Sequence, residues 1–134
     1  MNPSSVLSGG SGNHDLATDP ELSTHIKGVM NEVLTTAPKI LGSTSPFPLQ
    51  ELKLATPDEV LASVRKNTTG SRPSMWQDWE KGRKMELEVI LGNPIRIARE
   101  HGLEGEMPRL QTMYALLKKA QERRKEDGVG KGKL

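Results

Sequence analysis

At 134 residues the chain suits one domain with a modest core and is too short for two full-sized ones. It has no cysteine, 34% hydrophobic residues and 3% aromatic ones, which excludes disulfides, thiolate metal sites and a cysteine nucleophile and leaves Leu, Ile, Val, Met and Ala to build the core. The net charge of +2 is unevenly spread: basic residues crowd towards Arg123-Arg124-Lys125 and Lys131-Gly132-Lys133, yet Glu122, Glu126 and Asp127 interrupt them and no aromatics interleave, so a solvated tail is favoured over nucleic-acid binding.

Ser8 to Asn13 is glycine- and serine-rich and reads as a loop. Asp19-Pro20-Glu21 then starts a helix, with a capping acceptor, a proline at the first helical position and an acidic residue near the positive end. Leu22, Ile26, Val29, Met30, Val33, Leu34 and Ala37 follow at spacings that form one stripe, and the helix should end near Pro38 or Gly42. Ser43 to Pro48 cannot continue it.

Thr56-Pro57-Asp58-Glu59 is a capping box, and Val60, Leu61 and Val64 give a second helix a short apolar face as far as Lys66. Ser74-Met75-Trp76-Gln77 opens a third helix with a Ser-x-x-Gln pattern, and Gly82 closes it. A fourth helical run, Met85 to His101, should kink or split near Gly92-Asn93-Pro94. The last helix begins near Pro108 with Leu110, Met113, Tyr114 and Leu117 inward, and Gly-Lys composition predicts a disordered basic tail over 125–134. Nothing alternates with period two, so the expected fold is an all-α, bundle-like domain of about five helices over residues 1–124.

No apolar run approaches the roughly 20 residues of a membrane span, and the first residues lack a signal-peptide pattern, so a cytoplasmic protein is expected. His14, His25 and His101 are scattered without ligand spacing, which argues against a metal site. Ser4 and Ser5 have no histidine or lysine neighbour in a nucleophile motif. Trp76 and Trp79 suit packing better than base stacking.

The stretch Ser74 to Glu88 is similar to the ketopantoate reductase (2-dehydropantoate 2-reductase) family segment in which Ser-Met-x-Gln-Asp is followed by Gly-Arg-x-Thr-Glu-Ile-Asp, with Met85 in place of the family threonine. Asn2-Pro3, Asp19-Pro20-Glu21-Leu22, Gly92, Ala98 to Gly102, Pro108 and Tyr114 to Lys118 resemble the rest of its helical C-terminal domain, from Met1 to about Gln121. The resemblance implies a fold like the C-terminal domain of 6-phosphogluconate dehydrogenase-like enzymes, closing over a Rossmann domain that binds NADP. It implies that Ser74 and Asn2 contact a 2-oxo acid such as 2-dehydropantoate, and that Glu86 lies between nicotinamide and substrate, serving both catalysis and cofactor contact.

From the residues alone, Ser74 reads rather as a helix cap and Glu86 as a surface residue in a first turn, and it is the resemblance that gives them site roles. The family's glycine-rich loop and catalytic lysine would precede Met1, so the chain is expected to bind no NADP and to be inactive alone. Its role is then half of an oxidoreductase cleft or, alternatively, a stand-alone interaction module. The apolar face left open, expected around Leu7, Met75 and Trp76, would pair with itself or with a separate Rossmann partner.

Overall fold

The computed structural model describes residues 1–42 and 54–132, with side chains to Glu126. The Ser/Pro-rich break expected at Ser43 to Pro48 lies outside the described residues. Among the described residues the fold is all-α, with seven α-helices instead of about five: α1 (Asn2–Leu7), α2 (Asn13–Thr18), α3 (Pro20–Leu41), α4 (Pro57–Arg65), α5 (Ser74–Glu80), α6 (Asn93–Glu100) and α7 (Pro108–Gly132). The helical backbone of α7 thus runs on through most of the stretch whose composition predicts a disordered tail.

Local chemistry sets most boundaries. Asp19 ends α2 in the extended backbone that a following proline favours, and its carboxylate accepts a 2.8 Å hydrogen bond from the Leu22 amide at the start of α3. Pro38 sits inside the last turns of α3, which continues to Leu41. The Thr56 capping box forms on both sides: the Thr56 hydroxyl accepts from the Glu59 amide, and the Glu59 carboxylate accepts from the Thr56 amide.

Pro94, without a backbone N–H, cannot continue the ladder, and the run is divided between a π-helical turn, Glu88–Gly92, and α6; the backbone stays helical at Gly92 and Asn93, so a change of helix type stands where a kink or split was expected. That run starts at Leu87, two residues later than expected, and Arg83 to Glu86 are without regular structure.

Two clusters of buried side chains hold the helices together. The larger unites Val6 of α1, Met75 of α5, Leu91, Ile95 and Ala98 of the divided run, and Leu110, Met113 and Leu117 of α7. Met75, Met85, Met107 and Met113 all belong to it: with few aromatics to fill space, unbranched thioether side chains fit the irregular gaps. The smaller joins Leu16 and Ala17 of α2 to Ile26 of α3 and Leu61 of α4. Arg65 ties α4 to α2 through a 2.7 Å bond from its Nε to the Ala17 carbonyl.

The stripe read along α3 is only partly the buried face. Ile26 is fully buried and Val33 is 42% exposed, while Glu32 and Thr36 are buried. Glu32 crosses to α7, where its carboxylate accepts from the backbone N–H of Arg109 at 2.9 and 3.1 Å and of Leu110 at 3.2 Å. Met107, at the capping position of α7, has no side-chain oxygen, so α3 supplies the cap that α7 lacks.

Candidate functional site

Ser74 is the first residue of α5, exposed, with Pro73 at the capping position and no cap bond from a side chain. The Ser-x-x-Gln cap expected there does not form: Gln77 instead donates to the Arg72 carbonyl at 3.3 Å. The Ser74 hydroxyl has no hydrogen-bond partner among the described residues. Asn2 is the first residue of α1 and half-buried, its side-chain amide likewise without a partner among them. Because α1 packs against α5, Asn2 and Ser74 stand on adjoining helices.

Glu86 follows by a defined route. Gly82, at φ 72°, ends α5 in a Schellman motif: its N–H bonds the Trp79 carbonyl at 3.1 Å and the Arg83 N–H bonds the Asp78 carbonyl at 2.7 Å. The chain reverses into the segment Arg83 to Glu86, which α7 holds from the side, since Gln121 Oε1 accepts from the Met85 amide at 2.8 Å. The Arg124 guanidinium of α7 also lies 4.1 Å from the centre of the Trp79 ring and donates to the Trp79 carbonyl.

Glu86 itself lies just before the helical run, not within its first turn. Its carbonyl accepts from the Ile90 amide at 3.1 Å, and its carboxylate is exposed without a partner among the described residues. Replacing Gly82 by alanine, which forces a Cβ into the left-handed region, should cost about 1–2 kcal/mol of stability. Urea unfolding would show this as a lowered midpoint, and an unmoved midpoint would mean that the turn does not depend on glycine.

The expected apolar face needs correction at one residue. Leu7 is 42% exposed and Trp76 is half-buried, but Met75 is only 2% exposed because α1 covers it.

Several polar contacts have no local signature in the sequence. His25 Nε2 and the Ser4 hydroxyl share a 3.2 Å hydrogen bond, and the same hydroxyl lies 3.6 Å from Met113 Sδ. Burial holds His25 below its ordinary pKa, Arg109 and the amino terminus add to this, and Glu32 opposes it. His25 is therefore harder to protonate folded than unfolded, so its contribution to stability is present above the unfolded value of about 6.5 and is lost as pH falls below it. The melting temperature should drop between pH 7.5 and 5.5 less steeply in a His25→Gln variant; identical slopes would remove His25 from the account.

Among the described residues no group of three acidic, histidine or cysteine side chains is placed to hold a metal ion, and no helix is long and apolar enough to cross a membrane.

Residues 1–121 match the family described as Ketopantoate reductase PanE/ApbA C terminal. The crystal structure of 2-dehydropantoate 2-reductase from Methylococcus capsulatus superposes with a TM-score of 0.72 at 32% identity, over 92% of this chain and 36% of that one. Dimeric ketopantoate reductase from Staphylococcus aureus matches at a TM-score of 0.68 and 21% identity, over 92% of this chain and 39% of its own, a likeness of fold. An uncharacterized protein of Saccharomyces cerevisiae (strain ATCC 204508 / S288c) is 54% identical over 55 residues, 41% of this chain and 15% of that protein. The chain therefore spans well under half the length of these relatives. The family match over 121 residues and the agreement in fold place the chain in the ketopantoate reductase C-terminal domain family.

Proposed function

We propose that residues 1–124 act as the substrate-binding and closing domain of an NADP-dependent 2-dehydropantoate 2-reductase-like oxidoreductase of the cytoplasm, with 125–134 outside the domain. The observation that carries this reading is the pair of uncommitted side chains at family positions, Ser74 and Glu86, on either side of the Gly82 reversal. Such side chains are available to a ligand without breaking a hydrogen bond or ion pair of the described residues.

Among the described residues there is no strand, and hence no βα turn of the kind that cradles a dinucleotide, so these residues by themselves do not fit NADP. A Rossmann domain, on the same polypeptide or a separate one, would bind NADPH and supply the hydride. This chain's residues work on the other half of the cleft. The Ser74 hydroxyl donates to the carboxylate of the 2-oxo acid, the Asn2 amide hydrogen-bonds the substrate, and Glu86 orients it beside the nicotinamide.

The test is a domain exchange in which this chain replaces the corresponding domain of the Methylococcus capsulatus enzyme. Reduction of 2-dehydropantoate by NADPH is expected of the chimera and not of the 134-residue chain alone. A folded chimera that binds NADPH yet reduces no 2-oxo acid would overturn the proposal, as would keto-acid-dependent NADPH oxidation by the chain alone.

A further inference from the structure

A cavity of about 690 Å³ lies between α1, the start of α3 and the first turns of α7, and Ser4, Leu7 and Ser8 form its α1 wall. Those three residues recur at spacings of three and four and share one helix face, whereas Asn2, two residues before Ser4, belongs to another. The cavity is thus separate from the face that presents Asn2. Its volume falls in the range of small-molecule sites.

The walls are divided between apolar and polar groups. Leu7 and Leu116, 42% and 54% exposed, form an apolar side with Leu22 and Met113. Arg109 also lines the cavity, and two contacts of the fold bear on its position. A Cβ on Gly28 would lie 2.6 Å from the guanidinium carbon, so the group rests against α3 where a larger residue would make it shift. Arg109 Nη1 also donates to Glu32 Oε1 at 3.3 Å, while Nε and Nη2 have no partner among the described residues.

Guanidinium groups only donate, and the Glu32 carboxylate is occupied by three backbone hydrogen bonds at the start of α7. The cavity is therefore lined by a guanidinium that pairs with Glu32 through Nη1 and keeps two donors, Nε and Nη2, without a hydrogen-bond partner among the described residues, beside an exposed apolar wall. A carboxylate matches such donors with two acceptors in fork geometry, and a hydrocarbon tail matches the leucines.

We propose that this cavity binds a small amphipathic carboxylic acid, with its carboxylate on Arg109 and its tail against Leu7, Leu22 and Leu116. The experiment titrates the 134-residue chain with octanoate, octanol and acetate, following the Met113 methyl resonance and the heat of binding. Octanoate should bind about tenfold tighter than octanol, which lacks the charge, or acetate, which lacks the tail.

Arg109→Met should weaken octanoate binding about tenfold. Leu116→Glu, a change on the exposed wall that leaves the core intact, should do the same at unchanged melting temperature. Octanoate affinity unaffected by both variants would overturn the proposal. So would equal affinity for octanol, absence of saturable binding, or coverage of the cavity in solution by a second copy that octanoate fails to displace.

Discussion

Replacing Glu32 by alanine is expected to lower the unfolding free energy by about 2–4 kcal/mol, a large part of the roughly 5–15 kcal/mol that a small domain possesses. The carboxylate is 8% exposed and accepts from two consecutive backbone amides at the start of α7, besides pairing with Arg109. Alanine removes every one of these acceptors. It also removes the negative charge that faces the positive end of α7. Because α3 and α7 both border the larger core, loosening that helix start should affect the whole domain.

Glu32→Gln keeps one acceptor and loses the charge, so about half the effect should remain. Urea unfolding followed by circular dichroism measures both. A loss under about 0.5 kcal/mol for the alanine variant, typical of a surface site, would show that water caps α7 equally well.

The second large effect concerns catalysis and should leave stability unchanged. Neither the Ser74 hydroxyl nor the Glu86 carboxylate makes a hydrogen bond or ion pair among the described residues, and both residues are exposed. Alanine at either position should therefore change the stability of the chain by no more than about 0.5 kcal/mol. In the domain-exchange chimera the same changes should act on turnover. Glu86→Ala is expected to lower kcat by about 10²–10³, since a group that orients and supports proton transfer contributes on that scale. Ser74→Ala should act mainly on KM for the 2-oxo acid, raising it about tenfold, because a hydroxyl on the carboxylate binds ground state and transition state alike. A Glu86→Ala chimera as active as its parent would remove Glu86 from the reaction.

The sequence carries the fold where the signal is local. Asp19-Pro20, the Thr56 box, Gly82 and Pro94 each act within a turn, and each acts in the structure as its chemistry requires. What escapes is short or distant. The six residues of α2 are too few to show a periodic stripe. Glu32 reaches a helix 77 residues away and Gln121 an amide 36 residues away, and no neighbouring residue announces either partner. One clue to Glu32 was present, since Met107-Pro108 opens a helix without an acceptor of its own. At the candidate site, Ser74 and Glu86 stand out only through family resemblance; their residue types and spacing alone suit a cap and a surface acid.

The most direct test of the proposed half-site is a crystal structure of the chimera with NADP and a 2-oxo acid bound. The proposal requires the substrate carboxylate within hydrogen-bonding distance of the Ser74 hydroxyl, with Asn2 and Glu86 facing the same ligand and Glu86 beside the reacting carbon. Ser74 and Glu86 side-chain oxygens more than about 15 Å apart, too far for one small keto acid and a nicotinamide to bridge, would contradict it.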